Sequence, residues 1–268
     1  MSDRQRTPTA IVLLTFLFVL VQWGPDWAFF AVLQAVIAAA LWEFYNLARR
    51  RRWRPQRALG LLLALIVGVP FYFPVFTLSQ AICLGLLIGG GYFLIAFNSL
   101  EKVAVFPPAF ALTYMGAFYV ALPTNYLYWI RLGHGQAHLY FFFGVIFLGD
   151  TGAYLIGKAF GRHKMAPIAS PNKTWEGCAG GLLFALIASL AARFLFFPAV
   201  PILRAALTGI VVHAAAQVSD PLESLFKRAV GVKDSSNLLP GHGGFLDRID
   251  SFLLAAPLFY YLVQYLWR

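Results

Sequence analysis

The sequence predicts an all-α, polytopic integral membrane protein, a single membrane domain over residues 1–268 with about nine transmembrane helices. Three observations predict it. The chain is 60% hydrophobic and only 12% charged, whereas a soluble domain carries roughly 25% charged residues because its surface needs them. Apolar runs of about 20 residues recur along the chain, the length a bilayer core demands. Basic residues alternate between the runs in one consistent sense, as the positive-inside rule requires of cytosolic loops.

Taken in order, the expected spans are Thr9–Trp23, Trp27–Leu47, Leu59–Phe73, Leu78–Phe97, Val103–Pro123, Leu139–Gly157, Gly177–Phe197, Ile202–Val218 and Gly244–Leu266. The first run, Ile11 to Val21, has no convincing cleavage site after it; Gln22-Trp23-Gly24-Pro25 leads straight into the second. It reads as a retained helix and not a signal peptide. Arg49, Arg50, Arg51, Arg52, Arg54 and Arg57 follow the second span, Lys158, Arg162, Lys164 and Lys173 the sixth, and Lys227, Arg228 and Lys233 the eighth. With Arg4, Arg6, Lys102 and Arg248 they place all but Arg131, Arg193, Arg204 and Arg268 of the 21 basic residues on one side. The amino terminus is therefore expected in the cytosol and the carboxyl terminus outside. Glycine pairs at Gly85 and Gly89, and at Gly177 and Gly181, are spaced for close helix packing.

The net charge of +10 would point to nucleic acid in a soluble protein. Here it is accounted for by loop bias, and no nucleic-acid partner is expected. The Arg49–Arg57 run mainly sets topology, and it also suits anionic lipid headgroups. Cys83 and Cys178 both lie in apolar segments, with neither a pairing pattern nor zinc spacing.

Of eleven acidic residues, seven lie in the second half: Asp150, Glu176, Asp220, Glu223, Asp234, Asp247 and Asp250. All fall at or near the expected cytosolic ends of the last four spans. Intramembrane acids persist where they pair, bind ions or line water. A cluster facing one leaflet favours a site at the membrane surface, whereas a transport path would place acids at the midplane. Asp150 has no basic residue three or four positions on, so its partner must come from another helix. The loop Gly157–Gly177 mixes glycines with Lys158, Arg162, Lys164 and Lys173, which suits phosphate; a basic loop with a proline turn and a helix cap reads as readily.

Ser219–Arg228 reads as a helix of its own, with Asp220, Glu223, Ser224 and Lys227 sharing one face. Asp220 at the N-cap, Pro221 as first helical residue and Glu223 at the third position would also form a cap. The metal-ligand and capping readings of Asp220 both stand at this level. Pro240-Gly241-His242-Gly243-Gly244 can shape a turn of N–H groups that cradles an anion. Asp247 and Asp250 follow, one helical turn apart. His242 reads equally as a base or as a solvated loop residue.

Together these segments resemble the phosphatidate cytidylyltransferases, or CDP-diacylglycerol synthases. The pattern Ser224-x-x-Lys227-Arg228-x4-Lys233-Asp234-x5-Pro240-x-His242-Gly243-Gly244-x-x-Asp247-Arg248-x-Asp250 looks like the family signature. Asp150-Thr151-Gly152-Ala153-Tyr154 with Gly157-Lys158, and Ser170-Pro171-x-Lys173-Thr174-x-Glu176-Gly177, are similar to two further family segments. The likeness is specific over Gly149–Ser251. One departure is Ser219-Asp220-Pro221 where the family commonly has Gly-Asp-Leu.

The resemblance implies transfer of a cytidylyl group from CTP to phosphatidic acid, giving CDP-diacylglycerol and pyrophosphate, in phospholipid synthesis at a bacterial inner membrane. It implies Mg²⁺ or Mn²⁺ held by Asp220 and Asp247, with room for a second cation. Asp220, Asp247, Lys227 and Asp250 are the expected catalytic residues. Lys173, Ser224, Arg228, Lys233, His242, Gly243, Gly244, Arg248 and Asp150 are expected to bind substrate. Residues 1–138 then serve packing and lipid contact, and residues 139–268 carry the chemistry; a homodimer is left open. Two other classes stay in view, an ion-coupled transporter and a non-catalytic lipid-binding scaffold. A CDP-alcohol phosphotransferase is disfavoured, since its Asp-x2-Asp-Gly-x2-Ala-Arg motif is absent.

Overall fold

A computed structural model describes residues 6–236, 238 and 243–267. The chain forms two compact units. One comprises Met1–Tyr128 with Asp234–Ile249, the other Trp129–Lys233 with Asp250–Arg268.

The first unit contains α1 (Arg6–Trp23), α2 (Asp26–Arg50), α3 (Arg57–Tyr72), α4 (Leu78–Ala96), α5 (Leu100–Ala104) and α6 (Phe106–Met115). A π-helical turn, Gly116–Ala121, leads from α6 into α7 (Leu122–His134), and the short α11 (Leu246–Ile249) returns to this unit late in the chain. Helix α2 buries Phe29, Leu33, Ile37, Leu41 and Phe44, a spacing of three to four residues that keeps them on one face. Arg49 and Arg50 in its last turn complement the negative end of the helix dipole. Tyr45 threads between α3 and the π turn. A Cβ on Gly60 or Gly116 would come within 2.0 or 2.2 Å of its hydroxyl, which donates to the Thr113 carbonyl at 2.8 Å. A second core gathers Leu59, Leu63, Phe93, Ala109, Tyr114 and Ala117.

The second unit contains α8 (Gln136–Phe160), a hairpin of β1 (Lys164–Ala166) and β2 (Ser170–Thr174), α9 (Trp175–Phe196), α10 (Ile202–Ala229) and α12 (Phe252–Leu266). Helix α8 packs along α9, α9 on α10 and α10 on α12. Glycines permit the close approach. A Cβ at Gly152 would meet Phe184 at 2.4 Å, and one at Gly181 would meet Gln217 Nε2 at 2.3 Å. Phe141 stacks on Phe259 at 5.4 Å, and Trp267 Nε1 donates to Thr208 Oγ1 at 2.9 Å.

The all-α expectation holds apart from the hairpin, and the chain is a multi-pass membrane protein. Six helical segments among the described residues are long and apolar enough to cross a bilayer: Asp26–Arg50, Leu78–Ala96, Gln136–Phe160, Trp175–Phe196, Ile202–Ala229 and Leu246–Leu266. Leu14–Trp23 and Arg57–Tyr72 are apolar but shorter. The expected fifth span, Val103–Pro123, is divided between α5 and a contiguous helical run of α6, the π turn and the start of α7. Pro107 and Pro108 mark the division, since proline suits the first turn of a helix and breaks its interior. On α4, Leu87, Leu94 and Ile95 are exposed apolar side chains, the surface a lipid solvent favours.

The expected eighth span also changes. Helix α10 runs unbroken from Ile202 to Ala229, with Pro221 inside it. No new helix begins at Asp220, so Asp220 is not an N-cap and Glu223 does not complete a capping box. Proline in a helix interior forfeits one hydrogen bond, here to the Gln217 carbonyl, and membrane helices tolerate this because neighbouring groups serve the freed carbonyl.

Candidate active site

In the second unit a cavity of about 610 Å³ opens beside the α8–α9 connection; Asp150, Lys158, Lys164, Lys173, Gln217 and Asp220 are among its lining residues. That volume lies within the common range for small-molecule sites, roughly 300–1,000 Å³. Its lining groups come from five elements, α8, β1, β2, α9 and α10.

Lys173 stands on β2, paired to β1 through Lys164 opposite Thr174 and Ala166 opposite Ser170. The hairpin ends where Thr174 caps α9, its Oγ1 accepting from Gly177 N at 3.1 Å. Glu176, in the first turn of α9, reaches back and accepts from the backbone N–H of Arg162 at 3.1 Å and of His163 at 3.2 Å. His163 Nδ1 lies 2.5 Å from its other oxygen. The basic loop is therefore tied down by a carboxylate and a cap, and Lys173 is aimed inward.

Lys173 Nζ meets Asp220 Oδ2 at 2.7 Å, both side chains being about one-third exposed. Asp150 on α8 lies within electrostatic reach of both. The cation nearest in influence to Asp150 thus comes from strand β2 and not, as expected, from another helix. Ser224 Oγ, one turn after Asp220, donates to Asp220 Oδ1 at 3.4 Å.

Deeper in the same unit, Lys227 Nζ meets Glu223 Oε2 at 2.6 Å, with side chains 8% and 2% exposed. Asp250 is buried within electrostatic reach of Asp220, Glu223 and Lys227. The Ser219 hydroxyl donates to the Asp250 carbonyl, which ties α10 to the start of α12. Lys227 therefore answers the charge of Glu223, a residue the sequence reading placed on the same face but left out of the site. Arg228 turns to the Val232 carbonyl at 3.0 Å, and Lys233 is exposed.

In the first unit, Asp247 on α11 is held by the loop before it. Asp247 Oδ2 accepts from Gly244 N at 2.8 Å, Ser235 N at 3.0 Å and Ser235 Oγ at 2.9 Å. Gly243 has φ +78°, the left-handed conformation that glycine adopts without strain. A Cβ there would also crowd Asp247 Oδ2 at 2.7 Å. Arg248 is exposed on α11. His242, expected in this turn, lies outside the described residues. One side chain here escaped the sequence reading altogether: Glu43 of α2, 1% exposed, accepts from Ser235 and Ser236. Its signal was the one used for Asp150, an acid inside an apolar span.

The donor set fits a hard divalent cation. Asp220 offers carboxylate oxygens to a cavity lined by lysines, the oxygen chemistry Mg²⁺ prefers. No group of three His, Cys, Asp or Glu side chains among the described residues forms a ready cage. Mg²⁺ needs none, since it commonly takes one or two carboxylates and completes its shell with substrate phosphates and water.

Comparison with known proteins bears on the same segments. Residues 4–266 match the cytidylyltransferase family. The chain is 37% identical over 256 residues to the phosphatidate cytidylyltransferase of Staphylococcus haemolyticus, covering 94% of this chain and 96% of that protein. The protein of the same name from Staphylococcus epidermidis matches with the same figures, and that of Staphylococcus aureus is 36% identical over 258 residues, again 94% and 96%. A match that spans nearly the whole length takes in the hairpin, the α10 acids and the Asp247 loop alike, so the chain belongs to the cytidylyltransferase family.

Proposed function

We propose that this chain is a phosphatidate cytidylyltransferase, joining CTP to phosphatidic acid and releasing pyrophosphate. The observation that carries the reading is the cavity in which Lys173 meets Asp220 beside Asp150, in a chain that matches named phosphatidate cytidylyltransferases over 94% of its length.

An oxygen of the lipid phosphate forms a bond to the α-phosphorus of CTP, and the bond from that phosphorus to the β-phosphate oxygen breaks. The phosphate monoester is largely ionised near neutral pH, so no strong base is needed and no serine or histidine nucleophile is assigned. What must be overcome is repulsion between two polyanions, so fixed cations carry much of the work. Lys158, Lys164 and Lys173 line the cavity and neutralise the triphosphate. The part-exposed Lys173–Asp220 pair is worth only about 1 kcal/mol. A triphosphate therefore draws Lys173 onto itself and frees Asp220. The family resemblance implies that Asp220 and Asp247 would hold Mg²⁺ or Mn²⁺, which would supply further charge neutralisation; a second cation belongs to the same proposal. Lys227, Arg228, Lys233 and Arg248 are assigned to phosphate contacts, with His242, Gly243 and Gly244 forming the turn that meets an anion. Asp250, buried within electrostatic reach of Lys227 and Asp220, is assigned to the same catalytic group.

The chemistry is placed at the cytosolic face of a bacterial inner membrane, with the amino terminus inside, nine spans and the carboxyl terminus outside. The Arg49–Arg57 run is assigned to anionic lipid headgroups. Residues 1–138 are assigned to packing and lipid contact, and residues 139–268 to the chemistry. The deciding experiment is pyrophosphate release by the purified protein in detergent with CTP and Mg²⁺. Release that requires phosphatidate, stops with EDTA and yields CDP-diacylglycerol by mass spectrometry is expected. No phosphatidate-dependent release would leave the transporter and scaffold readings standing.

A further inference from the structure

Glu43 lies in the apolar helix α2 and is 1% exposed. A buried carboxylate is unfavourable unless hydrogen bonds replace its water. Here they do, and all come from one loop. Glu43 Oε1 accepts from Ser236 Oγ at 2.6 Å and Phe245 N at 3.0 Å. Oε2 accepts from Ser235 Oγ at 2.8 Å and Leu246 N at 2.9 Å. A carboxylate has about four lone-pair sites; the Ser236 hydroxyl and the two backbone N–H groups take up three, and the Ser235 hydroxyl takes the fourth when its proton points to Glu43. Glu43 is thus already satisfied by protein and is not built to touch metal or substrate.

What it does follows from where its donors sit. The N–H groups of Phe245 and Leu246 open α11, where a helix has no acceptors of its own, and the next residue is Asp247. The Ser235 hydroxyl stands between the two acids, 2.8 Å from Glu43 Oε2 and 2.9 Å from Asp247 Oδ2, and donates to one at a time. Gly244 completes the fit. A Cβ there would lie 2.0 Å from Ser235 Oγ and 2.3 Å from Glu43 Oε2.

We propose that Glu43 is a positioning residue for cytidylyl transfer: it clamps both ends of the loop from Ser235 to Leu246 and thereby fixes the Asp247 carboxylate. The inference rests on the reading of Asp247 as part of the active site. Its test compares wild type, E43Q, S235A, S236A and D247N, full-length and in detergent, with CTP, phosphatidate and Mg²⁺. E43Q is expected to lower kcat by about 10–100-fold, the usual effect of losing a group that orients a ligand, with KM for CTP within about twofold. Amide exchange is expected to quicken over residues 243–249 while α8 to α10 stay protected. Added to D247N, E43Q should cause no further loss, since it acts through that carboxylate. Unchanged kcat, unchanged exchange, or a rise in KM alone would each overturn the proposal. If E43Q does not fold, S236A removes a donor to Glu43 from the loop side without touching α2 or the Asp247 carboxylate, and the same outcomes decide. Wild-type protein that makes no CDP-diacylglycerol sinks the functional reading and this role with it. Active wild type with an indifferent E43Q sinks this role alone.

Discussion

At the residue scale the proposed chemistry turns on Asp220. It is mid-helix, not a cap, with one oxygen on Lys173 and the other on Ser224. Asparagine caps a helix about as well as aspartate, but no cap exists here for it to preserve. Asp220→Asn is therefore expected to lower turnover on the order of 10²-fold, the scale of losing one electrostatic stabiliser, with little change in melting temperature. Steady-state kinetics beside a thermal melt checks it, and near-normal turnover with unchanged Mg²⁺ dependence would refute the ligand role. Lys173→Ala removes a part-exposed ion pair, so it should cost only about 1 kcal/mol of stability. Its KM for CTP is expected to rise at least about tenfold, the worth of one charge-assisted contact. Unaltered CTP kinetics would return the hairpin lysine to a topological role. Lys227→Ala differs in kind. It strands Glu223 in a buried site, and about 3–5 kcal/mol of stability should go with it. Lys227→Ala by itself therefore cannot report on phosphate binding.

Elements differ in how much close contact their glycines carry. A Cβ at Gly181 of α9 would run into Gln217 and His213 of α10, whereas one at Gly90 of α4 would meet nothing within 4 Å. Gly181→Ala should destabilise by about 1–3 kcal/mol through overpacking. Gly90→Ala should be neutral or stabilising by up to about 1 kcal/mol, since alanine is the better helix former. Melting both variants in the same detergent tests the contrast, and equal effects would contradict the packing described for α9 and α10. The same scale shows why the hairpin was not legible. Its strands are 3 and 5 residues long, and much of their order comes from Thr174 and Glu176 at the start of α9. A pattern so short carries no period to read.

At the scale of the whole molecule, the proposed orientation fixes which face each loop meets. Single cysteines at Arg51, Asn172 and Asp234 should be shielded from a membrane-impermeant thiol reagent in intact cells. Asp234 is preferable to Ser235, which is buried and hydrogen-bonded to Glu43. Leu132, exposed in α7, should react; Gly135, with φ +93°, would strain any replacement. Cys83 and Cys178 must first be changed to serine. Labelling of Asn172 or Asp234 from outside would place the chemistry on the wrong side of the membrane.

The membrane-protein class, most of the long helices and the segments that carry charge were determined by the sequence by itself. A bilayer acts as a solvent with a fixed thickness, so it imprints length and charge rules on short stretches of chain. Asp150, Lys173 and Asp220 were legible for the same reason, as polar groups in or beside apolar runs. Only the tertiary structure decided which groups they meet. Whether Asp220 capped a helix or faced Lys173 turned on α10 continuing through Pro221, which depends on what surrounds the proline and not on the proline. Glu43 meets Ser235 across 192 positions in the chain. Hydrogen bonds between residues so far apart leave no periodicity or spacing in the sequence. They exist only once packing has brought the donors to the carboxylate.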